Sequence, residues 1–305
     1  MSTSGAPANP RGLPARWLRE IRRQLDVVLT WRPGKKDAAE IFLLASTLPL
    51  YYLVRGLTNT ETRIDEAVDR ALFFVNFEKS VGIFWEVEIQ GWVLGYQWLV
   101  EFFNYFYLFG HLPVIGVLAV WMYFWHKPQY LLMRNAFLLS GAIALIFYVN
   151  FPTAPPRLLP DSYGFGFVDT IFDQYNTGRP GTLGAFVNEY AAFPSMHIGW
   201  NMLAGIAVWM ASRNVFVRIF AVSMPAVMMA DIILTGNHYI IDALAGFVVM
   251  MIGLGIAVGA KMLATRIVSP DSKAAREKGW VPWMYWLCGV AYERSEHRPS
   301  NLQAA

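Results

Sequence analysis

Residues 238–264, HYIIDALAGFVVMMIGLGIAVGAKMLA, carry no charged side chain between Asp242 and Lys261. About 18 or more such residues, wound as a helix, cross roughly 30 Å of hydrocarbon. Working outward from this run, comparable runs lie at about 38–56, 97–125, 131–151, 196–212 and 215–235. The composition agrees with that reading. The chain is 55% hydrophobic and only 15% charged, where soluble domains average about 25% charged. The expected fold is all-α, a polytopic membrane bundle of about six transmembrane helices. The 97–125 run is long enough to tilt.

The flanking segments differ in chemistry. Residues 61–92 mix Asp65, Glu66, Asp69, Arg70, Glu78, Lys79, Glu86 and Glu88 with many aromatic and aliphatic residues. A buried span does not tolerate that many charges, so one or two amphipathic interfacial helices are expected there. Residues 1–36 form a basic arm without the apolar core of a signal peptide. Within it Trp17, Ile21, Leu25 and Val28 mark an amphipathic surface helix over about 14–30. A membrane domain is expected over 37–265 and a tail over 266–305. The apolar patch Trp280 to Tyr292 in that tail is too short to cross and suits the headgroup region. There is no internal repeat, and the single cysteine, Cys288, excludes an intrachain disulfide.

The formal charge is +3, and the basic residues gather beside the spans. Orientation explains them better than nucleic acid, and no nucleic-acid partner is expected. With six spans both termini share a side. That side holds about 19 of the Lys and Arg residues and the other about six. The bias predicts an integral protein of the plasma (inner) membrane with both termini cytoplasmic. The 61–92 segment, the 152–194 loop and the turn at Gly236 then face outward.

Three motifs fall on that outer face: Pro152-Thr153-Ala154-Pro155-Pro156-Arg157, Phe193-Pro194-Ser195-Met196-His197, and Gly236-Asn237-His238-Tyr239-Ile240-Ile241-Asp242. Topology carries them to one membrane depth although they are far apart in the chain. His238 and Asp242 are four apart and share a helix face. The carboxylate can hold one imidazole nitrogen and leave the other as a nucleophile. Both histidines lie near helix N-termini, where amides and the positive dipole end favour phosphate. Ser195 is expected to cap the fourth span, and Thr235 or Asn237 the sixth. Arg157 offers a planar cation for phosphate oxygens, and His197 is placed as a general acid. Glu78, Asn104, His111 and Asn150 read either as headgroup contacts or as buried partners between spans.

These motifs resemble those of the type-2 phosphatidic acid phosphatase and haloperoxidase superfamily, whose usual pattern is K-x6-R-P, P-S-G-H and S-R-x5-H-x3-D. The chain has P-S-x-H at Pro194, Ser195, Met196 and His197, and H-x3-D at His238 to Asp242. Met196 replaces the glycine, and Ile232 stands where the third-motif arginine belongs. Lys127 and Arg134 fit K-x6-R, but Asn135 replaces the proline and the charge count puts them in the cytoplasm, as orientation residues. The P-T-A-P-P-R, F-P-S-M-H and G-N-H-Y-x2-D motifs, with Phe77–Ile83, are similar to the inositol phosphorylceramide synthase branch. The resemblance spans about 60–262.

It implies a two-step phosphoryl transfer on a lipid phosphate or phospholipid, with no metal and no cofactor. His238 would become a phosphohistidine, Asp242 would orient it, and His197 would protonate the leaving alkoxide. Arg157, Ser195, Asn237 and the backbone near Met196 would hold the phosphate, with Arg179 of Gly178-Arg179-Pro180 standing in for the missing arginine. Headgroup transfer leads, with plain lipid phosphate hydrolysis as the alternative. On the residues alone, a transporter, an intramembrane protease using Ser195 with His238, and a metal hydrolase using His197, His238 and Asp242 stay open.

Overall fold

The structure, a computed structural model, describes residues 12–57, 63–171 and 190–292. The chain divides into two compact units, 1–42 and 43–305. In the first, α1 (Gly12–Leu29) presents Leu18, Ile21, Leu25 and Val28 on its surface, with Arg19, Arg22 and Arg23 also exposed. Pro33-Gly34 separates it from α2 (Lys35–Leu57). There Asp37 accepts the Gly34 N–H at 2.8 Å and so caps the start of α2.

The second unit continues with α3 (Ile64–Val81), α4 (Glu86–Leu94), α5 (Gln97–Tyr105), a π-helical turn (Phe106–Gly110), α6 (Leu112–Trp125) and α7 (Lys127–Asn150). After the 151–171 loop and the 190–195 approach come α8 (Met196–Ala211), α9 (Val215–Leu234), α10 (Ile240–Ile267), α11 (Lys273–Glu277) and α12 (Val281–Leu287). Among the described residues there is no strand beyond one isolated bridge, Thr153 to Ala191. Among the described residues three helices, α7, α9 and α10, are long and apolar enough to cross a membrane. The protein is an all-α membrane helix bundle.

Most of the expected apolar runs appear as single helices, with α8 within a residue of the 196–212 reading. The 97–125 run does not. It breaks into α5, the π turn and α6, because Gly110 and Pro113 bracket His111. Proline lacks an N–H and clashes with the carbonyl four residues back, which ends an α-helix, and one-turn π segments absorb such a break. The 61–92 segment forms two helices. α3 stops at Gly82, whose φ of 75° is a left-handed cap. Its inward face is Ala67, Val68, Ala71, Phe74, Val75 and Glu78. Two of the charges expected at the interface, Glu78 and Glu86, are wholly buried instead.

α10 is the central helix, packed on α7 and α8, and α8 packs on α9. Small residues allow the close crossings that membrane bundles use. A Cβ on Gly246 would lie 2.0 Å from the Ser195 carbonyl oxygen, and one on Gly205 would lie 2.4 Å from that of Ala221. The tail folds back onto the end of α10, where Ala264, Val268, Val281 and Tyr285 form a buried cluster. Arg134, which the sequence suggested only as an orientation charge, has a structural partner there. Its guanidinium donates to the Trp286 carbonyl at 2.6 Å, and Asn135 donates to the Leu287 carbonyl at 2.7 Å. Together they satisfy the open C-terminal carbonyls of α12.

The Ser195–Gly246 contact sets a prediction. Gly246→Ala forces backbone apart and is expected to destabilise the protein by about 1–3 kcal/mol, the usual cost of overpacking. Gly255→Ala, with open space around its Cβ, is expected to be neutral or slightly stabilising as a helix substitution. Thermal unfolding of both variants in detergent checks the contrast.

Candidate active site

Backbone hydrogen bonds draw the three motifs together. The Thr153 N–H donates to the Tyr190 carbonyl at 2.7 Å, and the Ala192 N–H to the Thr153 carbonyl at 3.2 Å, joining the first motif to the approach of the second. The Arg157 N–H donates to the Gly236 carbonyl at 2.9 Å, joining the first to the third. The Ser195 N–H donates to the Asp242 carbonyl at 2.9 Å, joining the second to the third. Gly236 is required at its position. Its φ is 66°, and a Cβ there would lie 2.9 Å from Gln90 Nε2. The Asn237 and His238 amides both donate to the Ile232 carbonyl at 3.0 Å, which turns the end of α9 into the start of α10.

These links bring two imidazoles and a carboxylate together. His238 Nε2 lies 3.3 Å from His197 Nδ1. On its other side His238 Nδ1 lies 3.4 Å from Asp242 Oδ2, an ion-pair distance longer than a normal hydrogen bond. His238 and Asp242 are buried. The tautomers follow from these contacts. A carboxylate beside Nδ1 of His238 favours the proton there and leaves Nε2 with its lone pair. The facing Nδ1 of His197 is then the donor.

His197 is held from a direction the sequence did not reveal. Its ring stacks on Tyr107 with centroids 4.5 Å apart and lies 4.6 Å from the ring of His111. Both neighbours come from the broken 105–112 segment, and the interruption of an apolar run by Gly110 and His111 was the only signal for it. Asn201, one turn along α8, has its Nδ2 2.6 Å from His111 Nδ1 and 2.7 Å from the His197 carbonyl.

Arg157 is locked in place. Its Nε donates to Asn237 Oδ1 and its Nη1 to Asp169 Oδ2, both at 2.9 Å. Asn237 in turn donates to Thr235 Oγ1 at 2.7 Å. Arg157 is thus tied to the residue next to His238. Asp169 had no sequence signal, since a lone acid in a loop has no periodic partner. The loop itself is stitched down by amide pairs: Gln90 exchanges two hydrogen bonds with Val168, at 2.9 and 3.0 Å, and Asn104 two with Thr170, at 2.7 and 2.9 Å.

The expected caps are different in the structure. Ser195 occupies the N-cap of α8, but its side chain caps nothing. Its Oγ is buried and has no hydrogen-bond partner among the described residues. Neither Thr235 nor Asn237 caps α10. Carboxyls do so instead: Asp242 accepts the Tyr239 N–H at 3.0 Å, Glu86 the Ile240 N–H at 2.9 Å, and Glu78 the Ile241 N–H at 2.8 Å. The helix start expected to be open at both histidines is thus closed by carboxyls at α10, while the first amides of α8 have no acceptor within their helix. The Met196 side chain packs into the core beside Trp200, which leaves only its backbone for ligand. Glu78, Asn104 and His111 are buried hydrogen-bond partners inside the protein, whereas Asn150 is exposed and donates to the Ile146 carbonyl of its own helix at 2.8 Å. Arg179 lies outside the described residues.

A family model described as the PAP2 superfamily matches residues 72–256. Neither a curated protein nor a solved structure matches the chain. The matched segment is more than half of the chain. It runs from α3 into α10 and includes His197, His238, Asp242 and Arg157.

The Arg157–Asp169 pair is almost wholly buried, with side chains 7% and 10% exposed. Removing one partner of such a pair strands the other's charge. Asp169→Ala is expected to cost about 3 kcal/mol or more in stability, read by chemical or thermal unfolding in detergent.

Proposed function

The chain belongs to the PAP2 superfamily, and from that premise we propose a membrane phosphoesterase that works through a phosphohistidine on His238. Membership supports phosphoester chemistry on a lipid. The observation that carries the finer reading is the line Asp242, His238, His197, with contacts of 3.4 and 3.3 Å. Such a line gives one imidazole a fixed proton behind and a lone pair in front, with a proton donor facing it.

In the first step His238 Nε2 attacks phosphorus and a P–N bond forms. The P–O bond to the leaving alkoxide breaks, and His197 Nδ1–H delivers the proton that oxygen needs. Arg157, Ser195, Asn237 and the first amides of α8 hold the non-bridging oxygens. In the second step an acceptor hydroxyl attacks phosphorus, gives its proton back to His197, and the P–N bond breaks. In-line attack sets phosphorus between nucleophile and leaving oxygen, so the two rings part by the width of a phosphoryl group when substrate enters. Arg179 is retained as a further candidate contact on the sequence argument alone.

With an alcohol as acceptor the product is a new phosphodiester, and the P-T-A-P-P-R, F-P-S-M-H and G-N-H-Y-x2-D motifs favour this headgroup transfer. With water a phosphodiester substrate gives a phosphomonoester, and a lipid phosphate gives inorganic phosphate. The excess of Lys and Arg on the side of the termini supports an active site on the outer leaflet. A transport pathway fits less well, because the polar side chains gather around one cluster instead of tracing a route across.

The test offers the purified protein a panel of lipid phosphates and phosphodiesters in chelator, with and without a diacylglycerol or ceramide acceptor. His238→Ala is expected to lose at least about 10³-fold in kcat, while Ser195→Ala loses only part, on the order of tenfold. Acid-labile label from a phosphate-labelled substrate is expected on wild type and absent from His238→Ala. Undiminished turnover by His238→Ala would overturn the assignment. Transfer to the added alcohol in excess of phosphate release marks the transferase, and the reverse marks the hydrolase.

A further inference from the structure

Glu78 ends the inward face of α3 and Glu86 opens α4, and the turn at Gly82 folds one against the other. Neither has any exposed surface. Their carboxyls accept from adjacent amides of one helix start, which sets the two side by side. Each uses its Oε1 for a different amide of α10, Glu78 for Ile241 and Glu86 for Ile240. The Oε2 atoms are buried and have no hydrogen-bond partner among the described residues. Two ionised carboxylates cannot share such a space. One proton between them makes one a donor and the other an acceptor, and every buried atom is then satisfied.

We propose that Glu78 and Glu86 form a positioning pair that shares one proton and so holds the first turn of α10, with His238 before it and Asp242 within it, in register with His197. The role rests on the reading of His238 as nucleophile; the pair itself does not. Neither glutamate touches the reacting atoms. Their effect passes through the Ile240 and Ile241 amides, one turn from both members of the His238–Asp242 couple.

Burial, with Glu86 beside it and Asp242 beyond, pushes Glu78 up to about 9. It is therefore a neutral acid at physiological pH. The groups facing it are Glu86 from α4 and Asp242 and Tyr239 from α10; Asp242 in turn faces His238 and Glu86. The sign for stability follows. An unfolded chain releases the Glu78 proton above its ordinary 4.5, whereas the folded chain keeps it to about 9. Stability is thus drained as pH rises through that window.

Glutamine substitutions test the shared proton. In Glu78→Gln the amide oxygen still accepts from Ile241, and the amide N–H replaces the shared proton. Glu86→Gln does the same from the other side. Each single variant is expected to keep kcat for phosphate release within about threefold at neutral pH. The Glu78→Gln, Glu86→Gln double variant sets two N–H donors against each other. It is expected to lose about 30-fold or more in kcat with little change in KM. The wild-type fall in kcat above about pH 9 is expected to be absent from Glu78→Gln.

A second readout needs no turnover: the melting temperature in detergent falls between about pH 5 and about pH 9 in wild type and falls less in Glu78→Gln. A double variant as active as the singles, or identical melting slopes in wild type and Glu78→Gln, overturns the pair. Wild type with neither phosphate release nor transfer to an added alcohol, on any lipid phosphate or phosphodiester, overturns the catalytic reading instead, and the melting slopes then judge the pair by themselves.

Discussion

A helix that begins inside a protein must find acceptors for its first amides, because no water is there to supply them. α10 meets this constraint with three carboxyls, from Asp242 in its own first turn and from Glu78 and Glu86 on two other helices. The rest of the site depends on that arrangement. It fixes where α3 and α4 must lie, and so explains why a segment so rich in charge sits against the bundle. It also frees α10 from any need for a ligand at its start. The first amides of α8, which carries His197 in its first turn, are not taken up in this way.

Much of this was legible before the fold was known. In lipid a charge-free run has few options besides helix, so the limits of α8 and α9 could be read to within about a residue and those of α10 to within about three. The pairing of His238 with Asp242 and the helix start before His197 were equally plain from local spacing, although His238 lies two residues before α10 and not on its face. The interruption at 105–112 was not, since a hydrophobicity window averages over one glycine and one proline. The partners of Glu78 and Glu86 were out of reach for a different reason: they lie more than 150 residues along the chain. Asp169 was invisible because its meaning comes wholly from Arg157.

The imidazole contact gives the resting site a defined electrostatic state. Each ring is held from behind, His238 by Asp242 and His197 by Tyr107 and His111. Arg157 is likewise kept in position by Asn237 and Asp169 rather than waiting extended in solvent. Groups held this way need little reorganisation when charge develops, which is the condition under which buried dipoles and cations contribute most to a transition state.

The contact between Arg134 and the end of α12 has a consequence for how the polypeptide can be trimmed. The boundary suggested by hydrophobicity alone, near residue 265, would remove the Trp286 carbonyl and the ring that the guanidinium lies against. A chain shortened there would keep a buried cation in α7 with one acceptor fewer, a costlier defect than the loss of a surface appendage. Residues 266–292 are in part a plug for the bundle, and fusions or tags are better joined beyond residue 292, where the described chain ends.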